Sequence, residues 1–137
     1  NLPTDIAIFS AAVADYRVNK KNSDKLKKKD NLTLNLEQNI DILNFVSNHN
    51  SMRPKLVIGF AAETSDLDKN AILKLNNKNC DWIIANDVSK KNIGFDSEYN
   101  EVTIYYKATN NKKENLSLKK KSEISEEIVD RIVNQIN

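Results

Sequence analysis

Glycine, proline, cysteine and histidine are all scarce in this chain of 137 residues, with two, two, one and one respectively. Two glycines, Gly59 and Gly94, cannot make a glycine-rich turn that cradles a phosphate on a helix N-terminus, so the common phosphate-loop and dinucleotide fingerprints are excluded. A lone Cys80 forbids an internal disulfide, which suits a reducing cytoplasm, and its place just before an apolar strand makes it a small packing residue. The single histidine, His49, has no acid or cysteine at ligand spacing; it reads as a loop residue and leaves no metal cluster and no Ser/His/Asp triad. No apolar run approaches the roughly 20 residues of a membrane helix. The first residues are polar and lead at once into a strand, so no secretory leader is expected and a cytoplasmic protein with no membrane partner is. Net charge is only +2, and of the 21 basic residues just Arg17, Arg53 and Arg131 are arginine, a balance that argues against nucleic acid as a partner.

What remains is enough for one ordinary α/β domain over residues 1–137, with a hydrophobic fraction of 39%. Short apolar runs at 6–9, 56–58 and 82–85 predict buried strands of a parallel sheet. Residues 32–36 (Leu-Thr-Leu-Asn-Leu) alternate like a strand with one buried face, and the lysine-rich stretch 19–30 before them reads as a loop or flap. Asn39 or Asp41 can cap a helix that turns Ile42, Leu43, Phe45 and Val46 to the sheet. Ser65 with Asp68 resembles a capping box ahead of a helix whose Leu67, Ala71 and Leu75 recur every four residues. Alternation at Val102, Ile104 and Tyr106 and at Leu116 and Leu118, around Asn110-Asn111, predicts an antiparallel hairpin at the sheet edge. A last helix carries Ile124, Ile128, Ile132 and Ile136 on one stripe, with Glu123, Glu126 and Glu127 near its positive N-terminal end.

Candidate chemistry collects where the predicted parallel strands end, because ligands of open α/β sheets bind at that carboxyl edge. Ser10 to Arg17 (Ser-Ala-Ala-Val-Ala-Asp-Tyr-Arg) follows the first strand, Gly59 to Thr64 (Gly-Phe-Ala-Ala-Glu-Thr) the next, and Asn86-Asp87-Val88-Ser89 the third. Asp15 could hold a ribose hydroxyl, a base amine or hydrated magnesium, or could simply cap the following segment. Phe60 could stack on a base or belong to the core. Lys74 and Lys78 lie one helical turn apart, so they could grip adjacent phosphates or stand solvated on an open face.

Together with Lys25-Leu26-Lys27-Lys28 and Asn39-Ile40-Asp41-Ile42, these segments resemble, in order and spacing, the C-terminal, CTP-binding part of phosphopantothenate-cysteine ligase, as found in bacterial bifunctional decarboxylase/ligase proteins. The resemblance runs from about Asp5 to the last helix. It implies a Rossmann-like three-layer α/β fold, mainly parallel with an antiparallel edge hairpin. It also implies CTP-dependent ligation of 4'-phosphopantothenate with L-cysteine through an acyl-cytidylate, in coenzyme A biosynthesis, with small-molecule substrates, magnesium and a homodimer. By the same resemblance the nucleotide falls to Ala11, Asp15, Lys25, Asn39, Ile40, Asp41, Ile42, Leu43, Phe60, Lys74 and Lys78. Lys25 is then the catalytic flap lysine, supported by Lys27 and Lys28, and Asp15 the candidate magnesium ligand. Ile40 stands where the family has proline. FMN would belong only to a decarboxylase fused upstream.

The family's glycine-rich strand-turn-helix and its asparagine that handles the acyl-cytidylate lie upstream of the matched region, so the chain reads as a piece of a longer ligase domain and is expected to be inactive alone. Two other readings stay open. One is a non-catalytic α/β module that holds a nucleotide or a partner, and the other a lysine-rich RNA-binding domain. Titration with CTP, ATP and a short RNA separates them: selective CTP binding supports the ligase, no discrimination between CTP and ATP the module, and steeply salt-dependent RNA binding the last.

Overall fold

The computed structural model describes residues 2–20, 24, 25, 27, 31–89, 97–108 and 112–136. The elements run β1 (Ile6–Phe9), β2 (Tyr16–Val18), β3 (Leu36–Gln38), α1 (Ile42–Ser47), β4 (Leu56–Glu63), α2 (Leu67–Lys78), β5 (Trp82–Asp87), β6 (Tyr99–Tyr106), β7 (Lys112–Lys120) and α3 (Lys121–Ile136). Five strands form one sheet in the order β1-β4-β5-β6-β7, and β2 pairs with β3 in a small separate sheet. β1, β4 and β5 are parallel, while β6 and β7 close the far edge antiparallel. This is the expected α/β architecture with its edge hairpin; the turn at Asn110-Asn111 lies outside the described residues.

The strand period of two divides the core between the two faces of the sheet. Leu56, Ile58, Trp82, Ile84, Val102 and Ile104 meet Ile124, Ile128 and Ile132 of α3 on one side. Val57, Ala61, Ile83, Ala85 and Tyr105 meet Ala71 and Leu75 of α2 on the other. Helices on both faces are the reason the central strands read as continuous apolar runs. Cys80 packs in the α2 layer, fully buried, and burial pushes its thiol up to about 11, as a packing residue requires. Among the described residues no helix is long and apolar enough to cross a membrane.

Arg53 ties the amino edge of the sheet to the carboxyl ends of α1 and α2. Its guanidinium donates to the Ser47, Pro54 and Asn79 carbonyls and to the Asp81 carboxylate at 2.8 to 3.1 Å, so the end of α1, the approach to β4, the end of α2 and the start of β5 share one donor group. Asp81 in turn accepts from the Val57 amide at 2.7 Å.

Several local expectations are corrected. Residues 32–35 are not a strand; β3 begins at Leu36, because β2 offers only three paired residues and alternation without a partner strand makes no ladder. Leu32, Leu34 and Leu36 are consequently 61%, 56% and 58% exposed. In α1 only Val46 and Ser47 are buried, with Leu43 packed against the α2-side core, whereas Ile42 and Phe45 face outward; a six-residue helix is too short to turn four apolar positions inward. No capping box forms at Ser65. Asp66 occupies the N-cap in a left-handed conformation without a side-chain cap, and Asp68 reaches sideways to the Tyr105 hydroxyl at 2.5 Å and the Lys113 ammonium at 2.7 Å. Those two hydrogen bonds hold the Asp68 carboxyl below its usual range against a smaller opposing effect of burial. On α3, Ile136 leaves the buried stripe and is 48% exposed.

The two neighbouring leucines of α2 test the layer assignment. Leu75 is fully buried and Leu73 is 49% exposed; Leu75→Ala is expected to cost about 2 to 5 kcal/mol in urea unfolding, and Leu73→Ala under about 1 kcal/mol. Equal losses would show that the inner face of α2 has been misassigned.

Candidate functional site

β1 pairs with β4 only as far as Phe9 opposite Gly59, yet β4 runs on to Glu63 against β5. The chain leaves the sheet after Phe9, and the step it leaves behind opens a cleft of about 590 Å³ at the carboxyl end of β1. Phe60, expected at a strand end, lies within β4 but just past its last partner on β1, which is why its ring remains 36% exposed and can line the cleft. A hollow of about 660 Å³ lies at the opposite, amino edge, lined by Asp5, Lys55, Trp82 and Ile136 among others, and none of the expected site residues reaches it.

Ten of the expected residues line the cleft: Ala11, Asp15, Asn39, Ile40, Asp41, Ile42, Leu43, Phe60, Lys74 and Lys78. They come from the loop after β1, the turn into α1, the middle of β4 and the outer face of α2. Asn39 joins the first two, its amide donating to the Asp15 carbonyl at 2.8 Å and its side chain to the Ala14 carbonyl at 2.7 Å. Asp41 is the true N-cap of α1, its carboxylate accepting from the Asn44 amide at 2.8 Å. A side chain at Gly59 would put a Cβ 2.7 Å from a Leu43 methyl and 2.9 Å from Ile83. That glycine therefore makes room for α1 to lie on β4.

The two lysines of α2 each face a carboxylate. Lys78 pairs with Asp41, and Lys74 lies 3.6 Å from Glu63. Partial burial works to raise the Asp41 carboxyl, but the Asn44 amide, the Lys78 ammonium and Lys74 together hold it below its ordinary value. The Asp15 carboxylate makes no hydrogen bond or ion pair to any other side chain among the described residues that would occupy it. Among the described residues no group of three or more His, Cys, Asp or Glu could hold a metal. Magnesium at this cleft would then ride chiefly on ligand phosphates, with Asp15 as one carboxylate, the usual manner for this ion.

Lys25 and Lys27 are exposed and do not line the cleft, and Lys28 lies outside the described residues. Asn86 and Asp87 belong to β5 and stay clear of the cleft; Asp87 accepts from the Ser89 amide and hydroxyl at 3.0 and 2.6 Å, a local turn. Ser10, Val13 and Ala14 of the Ser10 to Arg17 segment line the cleft too, whereas sequence reasoning missed Ile8, Phe9 and Gln38. It also missed both lysine–carboxylate pairs. No local pattern could have found these, since Asp41 and Lys78 are 37 positions apart and on different elements.

A model of the DNA/pantothenate metabolism flavoprotein C-terminal domain matches residues 2–136. The coenzyme A biosynthesis bifunctional protein CoaBC of Bacillus subtilis is 38% identical over 130 residues, covering 94% of this chain and 31% of the relative. Its Haemophilus influenzae counterpart is 40% identical over 129 residues, covering 93% and 31%. The chain thus spans about a third of the length of the curated relatives it matches. The crystal structure of the C-terminal domain of a CoaBC superposes with a TM-score of 0.71 at 32% identity, over 96% of this chain and 55% of that one. A Streptococcus pneumoniae DNA/pantothenate metabolism flavoprotein shares the fold, with a TM-score of 0.67 at 22% identity over 97% of this chain and 62% of that one.

Asp41 gives the site a pH signature. Its folded-state pKa is depressed, so its contribution to stability is full above the unfolded value and is lost as pH falls through the lower folded value. Asn caps helices as well as Asp does, so Asp41→Asn removes the charge and spares the cap. The stability gap between wild type and this variant, measured by thermal melts, is expected to be largest near neutrality and to close as pH falls below the lowered folded-state value of Asp41. A gap that persists unchanged at the acid end would rule out the ion pair as its source.

Proposed function

The chain belongs to the DNA/pantothenate metabolism flavoprotein C-terminal domain family, and from that premise we propose that it is the CTP-binding part of a phosphopantothenate-cysteine ligase acting in coenzyme A biosynthesis. One observation carries the reading: four segments far apart in sequence contribute ten expected nucleotide residues to a single cleft at the carboxyl end of a parallel strand. In this reading the 4'-phosphopantothenate carboxylate attacks the α-phosphorus of CTP and pyrophosphate leaves. The cysteine amine then attacks the acyl carbon and CMP leaves.

Neither step needs a protein nucleophile, because positioning and electrostatics can carry most of the rate. Phe60 stacks on the base, a contact worth about 1 to 3 kcal/mol in single-strand binders. Residues 39–43 recognise the base edge through the backbone around the start of α1. Lys74 and Lys78 hold the phosphates, and Lys25, exposed outside the cleft wall, closes over them. Magnesium, held by the phosphates with Asp15, would supply charge compensation there.

The Lys74→Ala variant separates phosphate from base recognition. Calorimetry is expected to show CTP preferred over ATP by the wild type, and the variant losing about ten- to a hundredfold for CTP with little loss for cytidine, since a charge-assisted contact to phosphate is worth roughly 1.5 to 3 kcal/mol. Equal losses for both ligands would remove Lys74 from the phosphates. Absence of any preference for CTP over ATP would favour a non-catalytic nucleotide-binding module.

A homodimer through the small β2–β3 sheet belongs to the same proposal. Tyr16 and Leu36 of this sheet and Leu34 just before it are 60%, 58% and 56% exposed, apolar side chains that a second copy would cover. Light scattering at micromolar concentration is expected to give twice the chain mass, and Leu36→Glu to give the monomer. A wild-type monomer at those concentrations would refute the dimer.

A further inference from the structure

Asp41, which lines the cleft, and Glu63, which faces Lys74 from beside it, each divide their oxygens between a fixed neutral donor and a lysine. Asp41 accepts from the Asn44 amide with Oδ1 at 2.8 Å and holds Lys78 with Oδ2. Glu63 accepts from the Asn70 side chain with Oε2 at 3.2 Å and faces Lys74 with Oε1 at 3.6 Å. If either lysine swings away, its carboxylate keeps one hydrogen bond and stays in place. The lysine is the exchangeable partner. All four side chains are 18% to 36% exposed, so neither pair is sealed from an incoming ligand.

Resting on the CTP-binding reading above, we propose that Asp41 and Glu63 are resident counter-anions of Lys78 and Lys74, which incoming phosphates must displace, and that they thereby set how tightly the cleft holds a polyphosphate. Two ammonium groups stand against these two carboxylates and Asp15, a net charge of −1, so the empty cleft presents no net positive field to attract anions indiscriminately. A polyphosphate reaching both lysines replaces both carboxylates as their partner. A carboxylate left behind then repels the bound phosphates and favours their release. Asp41 and Glu63 are positioning and specificity groups in this arrangement, acting through the lysines and not on the reacting atoms.

The two isosteric variants isolate the charge. Asp41→Asn retains an oxygen for the Asn44 amide, and Glu63→Gln retains one for Asn70, while each loses the charge that competes for a lysine. Binding of inorganic tripolyphosphate and of CTP to the 137-residue chain would be measured by calorimetry. Each variant is expected to bind tripolyphosphate about two- to fivefold more tightly than wild type, in line with the modest strength of a partly exposed ion pair. In a Lys78→Ala background the effect of Asp41→Asn should shrink to the part due to direct repulsion of the bound phosphates, whereas a merely structural effect of the substitution would persist in full. Glu63→Gln provides the same comparison independently should Asp41→Asn fail to fold. Unchanged or weaker tripolyphosphate binding by the variants, with wild-type binding of CTP intact, would overturn the counter-anion role and show that the carboxylates aim the lysines. No binding of either ligand by wild type would instead overturn the CTP-binding reading, and this inference with it.

Discussion

The cleft depends on a mismatch of strand length in the sheet: β1 ends opposite Gly59, and β4 continues for four more residues with a neighbour on one side only. A strand that loses its partner exposes backbone and side chains along that edge, and the chain leaving the sheet must cross over it. Here that crossing chain supplies Ala11 and Asp15, while the β3–α1 turn closes in from beyond through the two hydrogen bonds of Asn39. Were β1 longer, Phe60 would be covered and the cleft filled. Gly59 sits at the same step, and its missing side chain is occupied by Leu43, so one residue without a Cβ sets how closely the α1 wall approaches.

The rigidity of that step comes from the sheet behind it. β4 and β5 are buried on both faces, and α2 and α3 cover opposite sides with Leu75 and with the Ile124, Ile128 and Ile132 stripe. α2 thus has two tasks: its inner face seals the core and its outer face carries Lys74 and Lys78. Asp68 secures its N-terminal turn to Tyr105 and Lys113, and Arg53 anchors the residue that caps its other end. With both ends fixed to the sheet, the positions of the lysines relative to Phe60 follow from the packing of the core. Ion pairs this exposed add little to global stability; their weight falls on the balance of charge within the cleft.

Much of the architecture was legible in residue order. Apolar runs at β1, β4 and β5 announced buried parallel strands because each is covered on both faces. The hairpin and the final helix announced themselves through periods of two and of nearly four. Boundaries were less legible: β4 and β5 extend past their apolar cores into Glu63 and Asp87, since backbone pairing continues where side chains turn polar. The flap leucines misled for the opposite reason, as alternation suggested a buried face where a single chain provides nothing to bury it.

By itself the sequence determined the α/β class and, through the resemblance of its motifs, pointed to ten residues that the fold gathers at one cleft. Those are matters of residue type and spacing along the chain. Only the tertiary structure decided that Phe60 is exposed by a strand ending beside it, that Gly59 yields its space to Leu43, that Asp68 serves Tyr105 instead of its own helix, and that Asp41 and Glu63 face the two lysines. Each of these joins groups on separate elements. Their distances are set by how layers pack and strands register, and local periodicity carries no record of that.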